Sequence, residues 1–328
     1  MDKDKHRIRM NSISNYITAF KKLHRAHLHG GAPHKPILLL SILEGVSRGE
    51  IKSNQIFITP ELILCFKELW IKMVRTPHQM NFALPFYHMR TEPFWKLVCK
   101  PGQEIALTSS NSIKSLNALN EALLYAEIDE ELFLLMNDAQ SNSVLRMTIL
   151  AKYFPNLPDL SVDYGLLKSL EHQILNEDPE QYKNRIESLQ SNSSKEEVEQ
   201  DLYVRSALFK RQIPKIYDYT CAISRMRVIS AANYQMVDAC HIVPFSVSKD
   251  DTIGNGISLS PNFHRAFDRG LISISEDFKV IVSQQLKEDQ SPYSISQFDG
   301  RRIMLPETSQ YQPNIENLKW HHANRLLR

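Results

Sequence analysis

Met236-Val-Asp-Ala-Cys-His-Ile-Val-Pro-Phe245, followed by Asn255-Gly-Ile-Ser-Leu-Ser-Pro-Asn-Phe-His-Arg-Ala-Phe-Asp-Arg-Gly-Leu271, is the stretch on which the reading of this chain turns. Val237 to Val243 alternates enough for a strand, and Asn255-Gly256 has the composition of a tight turn. Ser260-Pro261 reads as a helix start, with the serine as cap and the proline in the first turn, where its missing N–H costs nothing. His264 and Asp268 are four residues apart and so share one face of that helix. Leu271–Ile274 and Val280–Val282 then read as a closing hairpin. One histidine is therefore carried by a strand, a second by a helix, and an asparagine by the loop between them.

Working outward, the chain has 328 residues, 42% of them apolar and 23% charged, enough for two domains with cores of their own. The N-terminus is charged and lacks the apolar core of a secretory signal. No apolar run approaches the roughly 20 residues that a membrane-crossing helix needs. A cytoplasmic protein with no membrane partner is expected. Its four cysteines, Cys65, Cys99, Cys221 and Cys240, form no C-x-x-C pair, so a four-cysteine zinc site is not expected. Cys221 and Cys240 read as buried packing thiols.

Net charge is only +2, but its distribution is uneven. Residues 1–35 carry eight Lys/Arg against two acids; residues 116–201 carry six against seventeen; residues 202–328 carry sixteen against twelve. Two basic ends flank an acidic middle, a pattern suited to a chain whose ends meet phosphate.

Residues 12–28 show helical spacing at Ile13, Tyr16, Ile17, Phe20 and Leu23. A second helix is expected over Ile37–Val46, opened by Pro33-His34-Lys35-Pro36, and a third from Thr59-Pro60-Glu61 to about Val74, with Thr59 as N-cap. Asn81–Met89, Phe94–Cys99 and Ile105–Leu107 read as brief strands or irregular core, and residues 112–175 as helical. The polar stretches Asn176-Glu-Asp-Pro-Glu-Gln181 and Ser191-Asn-Ser-Ser-Lys-Glu-Glu197 suggest a connection, followed by a helix over Val198–Tyr217. The expected architecture is α+β: a helix-rich N-terminal domain over residues 1–170, a linker over 171–200, and a second domain over 201–328.

The order His241, Asn255, His264, at intervals of fourteen and nine residues, resembles the HNH nuclease family. The flanks Cys221-Ala-Ile, Ala239-Cys-His-Ile-Val-Pro-Phe and His264-Arg-Ala-Phe-Asp-Arg-Gly-Leu carry the same likeness, over about residues 200–328. The resemblance implies a ββα unit around one divalent metal, and a metal-dependent DNA endonuclease. His241 is then the expected general base, since imidazole titrates near about 6.5. His264 is the expected metal ligand. Asn255 is expected to hold the loop and orient His241. Many such enzymes carry an aspartate just before the base; here that residue is Cys240. Asp238 shares the strand face of Cys240 and opposes His241, so Asp268 is the preferred second ligand. A histidine-plus-oxygen site suits Mg²⁺ or Mn²⁺. Arg265 and Arg269 are candidate phosphate contacts.

In the N-terminal half, Ala32-Pro-His-Lys-Pro-Ile and Phe82-Ala-Leu-Pro-Phe-Tyr-His-Met-Arg90 resemble the sulfur-binding domain of type IV restriction endonucleases, over about residues 10–165. That resemblance implies an apolar pocket for the sulfur of phosphorothioate DNA at Leu84, Pro85 and His88, with His34, Lys35 and Arg90 on phosphates. A sulfur atom is larger and more weakly hydrated than oxygen, so an apolar surface can prefer it. The family often has an aromatic where this chain has Leu84. Together these features imply a modification-dependent restriction endonuclease acting on double-stranded DNA, with a homodimer as the simple route to cutting both strands. The alternatives are an HNH enzyme reading another base modification or a specific sequence, and a non-catalytic DNA-binding regulator.

Overall fold

The computed structural model describes residues 13–103, 113, 115–155, 165–230 and 235–328. They divide into two compact units. The first comprises the chain up to Lys168 together with Ser193–Val204; the second comprises Ser169–Asn192 and Arg205–Arg328. Helices dominate and the sheets are small, which makes the fold α+β.

The first unit is built on helix α2, His34–Ser47, preceded by a helix α1 over residues 13–21. From Ile37 to Leu43 every residue of α2 is buried. A helix apolar on all sides is stable only when surrounded, and α2 is packed by α3 (Pro60–Met73), α4 (Ala83–His88), α6 (Glu130–Asn137) and α7 (Ala139–Tyr153). The Thr59 hydroxyl caps α3 by accepting from Leu62 N at 3.3 Å, with Pro60 in the first turn as expected.

A three-stranded antiparallel sheet of order β1-β3-β2 completes the unit: β1 is Gln55–Ile56, β2 Trp95–Cys99 and β3 Leu123–Ile128, the last following helix α5, Leu116–Ala122. Two expectations change here. Residues 83–88 form a helix rather than strands, because Asn81 Oδ1 accepts from Leu84 N at 2.9 Å and Pro85 falls in the first turn, where a ladder donor is not needed. Leu123–Ile128, inside the stretch read as helical, is the central strand; its burial alternates once paired with Trp95–Cys99. Ile105–Leu107 lies outside the described residues.

The stretch read as a linker is helical: α8 (Gly165–Asn176), α9 (Pro179–Asn192) and α10 (Lys195–Ile216). The polar segments that suggested loops are capping boxes. Asp178 accepts from Gln181 N at 2.8 Å while Gln181 accepts from Asp178 N, and Ser194 and Glu197 make the same reciprocal pair. Residues 193–204 are tied into the first unit, where Glu199 accepts from the N–H groups of Leu116 and Asn117, and Asp201 pairs with Lys67 at 2.6 Å. Residues 169–192 belong to the second unit, where Glu177 pairs with the buried Arg205 at 2.8 Å.

In the second unit, β4 (Asp238–His241) pairs antiparallel with β5 (Gly256–Leu259), placing His241 opposite Gly256. The connection is the fourteen-residue loop 242–255, and Gly256 is extended, with φ −120°. The Asn-Gly pair is therefore not a hairpin turn. Glycine is needed for close approach: a Cβ there would lie 2.2 Å from Ile213 Cδ1 and 2.9 Å from Phe209 Cε2. Helix α11 (Pro261–Asp268) follows, packed on β4 and β5. The hairpin β6–β7 (Ile272–Ile274, Val280–Val282) forms as expected, with α12 (Ile315–Asn324) packed on β6.

Candidate active site

His241 ends β4 with its ring stacked on Phe209, centroids 4.2 Å apart and planes 10° off parallel. Gly256 permits this, because a side chain there would displace Phe209. His241 Nε2 lies 2.8 Å from Asp251 Oδ1. The Asp251 side chain is fully buried and the His241 side chain 17% exposed. A buried carboxylate accepts the proton of the nitrogen that faces it, so Nε2 is the donor of this pair. Asp251 Oδ2 is buried with no hydrogen-bond partner.

Asn255 is fully buried. Its Oδ1 accepts from Val243 N at 2.8 Å and from Asn317 at 3.1 Å, and its Nδ2 donates to the carbonyls of Val243 and Asp250, each at 2.9 Å. It thus clamps both ends of the loop 242–255. The side chain that meets the His241 ring is Asp251, while the Asn255 side chain bonds to the loop. Asp251 is one of two adjacent aspartates in a polar loop, and nothing in the sequence distinguishes it from Asp250.

His264 projects from α11 between two carboxylates, with Nδ1 3.4 Å from Asp238 and Nε2 3.4 Å from Asp268. The fourth member is Cys240. Its Sγ is 3.9 Å from Asp268 Oδ1, and ligand atoms of Cys240, His264 and Asp268 all lie within 4.8 Å of one another. That is near the span of about 4.6 Å across an ion with ligand bonds of up to roughly 2.3 Å. The donor set therefore fits a divalent cation. It includes the cysteine that the sequence suggested was only packing; the signal missed was that Cys240 and Asp238 alternate onto the face that receives α11. Burial, then the Asp268 carboxylate, pushes the Cys240 thiol well up. Cys221 is buried and receives the Ser260 hydroxyl at 3.5 Å.

His241 and Asp268 line one pocket of about 260 Å³, together with Ile242, Pro244, His321 and Arg325. His264 is not among these lining residues; it contacts Asp268, which is. His321 is a wall, not a base. It stacks on Phe267 at 3.6 Å, its ring nitrogens meet Ser273 Oγ and the Phe267 carbonyl, and burial lowers it to about 4. Arg265 and Arg269 are exposed on the α11 segment, outside the residues that line this pocket.

The first unit holds a larger pocket, about 770 Å³, which brings together His34, Lys35, Leu84, Pro85 and His88. His24, Arg25, His27 and Leu28, which the sequence did not single out, form another side of it. His34 Nε2 meets the Gln79 carbonyl at 2.9 Å and its ring packs on Trp70 at 4.5 Å; burial lowers its pKa, and burial also lowers that of His88. In both, burial favours the uncharged ring. Lys35 lines the pocket with its ammonium engaged. It is 6% exposed and its ammonium pairs with Glu92 at 2.5 Å and with Thr91 at 2.8 Å, so its charge is committed inside the fold. Arg90 is exposed, with its guanidinium over the Tyr87 ring at 4.1 Å.

Residues 221–275 match the family model described as HNH endonuclease. The C-terminal unit carries an HNH endonuclease domain. His241, Asn255, His264 and Asp268 all fall within the matched residues of this HNH domain, and divalent-metal dependence is general for such domains. Two solved structures are similar to parts of the chain. One is a modification-dependent TagI restriction endonuclease, 19% identical over 38% of this chain, with a TM-score of 0.29; the match spans 39% of that protein's length. The other is the sulfur-binding domain of ScoMcrA complexed with phosphorothioated DNA, 19% identical over 46% of this chain and 92% of that one, with a TM-score of 0.35. No curated protein sequence matches the chain. No described helix is long and apolar enough to cross a membrane.

Proposed function

We propose that this protein is a modification-dependent DNA endonuclease, in which the first unit reads double-stranded DNA and the HNH domain hydrolyses its phosphodiester bonds. The observation that carries the reading is the shared pocket, where His241, fixed by a buried carboxylate, faces Asp268, the partner of His264.

In this reading His241 Nδ1 takes a proton from water, which attacks phosphorus in line with the 3′ oxygen that leaves. Asp251 holds the ring and stabilises the imidazolium that forms. His264 and Asp268, joined by Cys240, would hold the divalent cation, which would supply charge relief to the phosphate and the leaving oxygen. A thiol among the donors favours Mn²⁺ over the harder Mg²⁺. Asn255 keeps the loop closed over β5. Arg265 and Arg269 would contact backbone phosphates, as would Arg90 in the first unit.

Phosphorothioate is the preferred mark. Leu84 and Pro85 offer an apolar surface, and neutral His34 and His88 flank it; a weakly hydrated sulfur loses less on entering such a place than oxygen does. A second reading, recognition of a modified base, is favoured by the pocket's volume of about 770 Å³, far more than one atom requires. Cleavage of plain, phosphorothioated and base-modified plasmids with Mn²⁺ or Mg²⁺, by wild type and His241→Ala, tests both. The expected result is nicking of phosphorothioated DNA by wild type alone. Equal cutting of all three plasmids removes the modification reading, and cutting by His241→Ala removes the mechanism.

A further inference from the structure

We propose that Arg325, near the C-terminus of the chain, is a catalytic residue of the HNH site, gripping the non-bridging oxygens of the phosphate that is cut. The inference deepens the nuclease reading and rests on it.

Hydrolysis of a phosphodiester concentrates negative charge on the non-bridging oxygens, and a fixed cation aimed at them is among the strongest aids available. Of the six residues that line the pocket, His241 is the base, Asp268 is an anion, and Ile242 and Pro244 are uncharged. His321 has both ring nitrogens engaged and is neutral at physiological pH. Arg325 is the one permanent cation in that lining. Its side chain is exposed and makes no hydrogen bond or ion pair among the described residues, although His321 feels its charge. An unengaged guanidinium presents a planar fork that matches two phosphate oxygens at once.

The backbone under Arg325 is held firmly. Its N–H donates to the His321 carbonyl at 2.9 Å as α12 ends, and Leu318 and His321 anchor that helix in the core. The next turn is tied back: Leu327 N donates to Gly270 O at 2.9 Å, and Ser283 Oγ donates to Leu327 O at 2.6 Å. Gly270, at φ +68°, closes α11, and a Cβ there would lie 1.9 Å from the Arg325 carbonyl oxygen. Only glycine lets the C-terminal segment approach the end of the helix that bears His264 and Asp268. The contact fixes Arg325 relative to the metal ligands. Arg265 and Arg269 do not line the pocket and serve the flanking backbone.

The test compares Arg325→Ala and Arg325→Lys with wild type and His241→Ala, in the full chain, on phosphorothioated and plain plasmid with Mn²⁺. Binding to a duplex is followed across salt concentrations. Arg325→Ala is expected to lower the single-turnover cutting rate by about 10- to 100-fold, the loss of a charged hydrogen-bonding pair, with an unchanged melting temperature. The salt slope of binding should fall by about one counterion. Arg325→Lys should recover binding and its slope but only part of the rate, and added methylguanidine should partly restore Arg325→Ala. If Arg325→Ala cuts at the wild-type rate with an unchanged slope while His241→Ala is dead, the role given to Arg325 is wrong and the nuclease reading stands. If His241→Ala also cuts, both fall.

Discussion

Replacing Asp251 by asparagine separates what this residue does for the reaction from what it does for the fold. Its Oδ1 lies 2.8 Å from His241 Nε2, in a side chain with no exposure to solvent. When the base takes a proton, the ring becomes a cation, and the bond to Asp251 becomes charge-assisted. Such bonds contribute roughly 1.5–3 kcal/mol. An asparagine can still accept from Nε2–H, so the ring keeps its place, but it offers no charge to the imidazolium. At about 1.36 kcal/mol per tenfold, kcat should fall roughly 10- to 150-fold. Asp251 touches the base from its buried side, so KM for DNA should stay the same. Stability should move the other way. Oδ2 is a buried atom without a hydrogen-bond partner; asparagine would place an uncharged NH2 there instead of a charged carboxylate oxygen, which costs less to bury. Asp251→Asn should therefore melt at or above the wild-type temperature while cutting slowly. Single-turnover cleavage at saturating DNA and Mn²⁺, alongside thermal melting, measures both. A variant that cuts at the wild-type rate, or one whose lost activity tracks a lost fold, would refute the reasoning.

Three further outcomes are expected. Loading with Co²⁺ should give a sulfur-to-cobalt charge-transfer band that Cys240→Ala lacks, with Mn²⁺ affinity lowered by about tenfold or more in calorimetry; an unchanged spectrum would exclude the thiolate as a ligand. His321, lowered to about 4 in the fold from 6.5, binds its proton more readily in the unfolded chain. Its share of stability is present above about pH 6.5 and is lost as pH falls towards 4, amounting to about 2 kcal/mol at pH 5; His321→Gln should flatten the melting temperature across that window, and a profile as steep as wild type would remove the assignment. Gly256→Ala should cost about 1–3 kcal/mol of stability and slow cutting as well, since its Cβ would intrude on Ile213 and on the Phe209 ring beneath His241; loss of stability with full activity would show that Phe209 does not position the base.

The parts of this protein that were legible in the sequence are those where chemistry and spacing are local. His241, Asn255, His264 and Asp268 lie within 28 residues of one another, on a strand legible from its alternation, a polar loop, and a helix legible from its proline start, although Asn255-Gly256 makes no hairpin turn and the Ser260 side chain makes no cap bond. The members that were hidden depend on what the chain brings back. Cys240 gains meaning only when α11 packs on its side of β4. Asp251 is distinguished from Asp250 by the direction of one loop bond, and Arg325 arrives from the far end of the chain through a helix with no motif. The same division holds for the fold. Helix α2 and the caps of α3 follow from local pattern, whereas β3 needed its partner strand to show its alternation. The segments at 176–181 and 191–197 have the composition of loops because capping boxes use the same residues. In the first unit, the ammonium of Lys35 pairs with Glu92, 57 positions away in the chain, a partner no local pattern announces.

The chain passes between its two units three times, at residues 168–169, 192–193 and 204–205. No single splice can exchange one unit for a relative's while leaving the other whole. A join at residue 201 would carry Arg205 away from Glu177, abandoning a guanidinium in a place where water cannot reach it. Exchange between relatives should succeed only with blocks that carry the 169–192 segment together with residues 205–328.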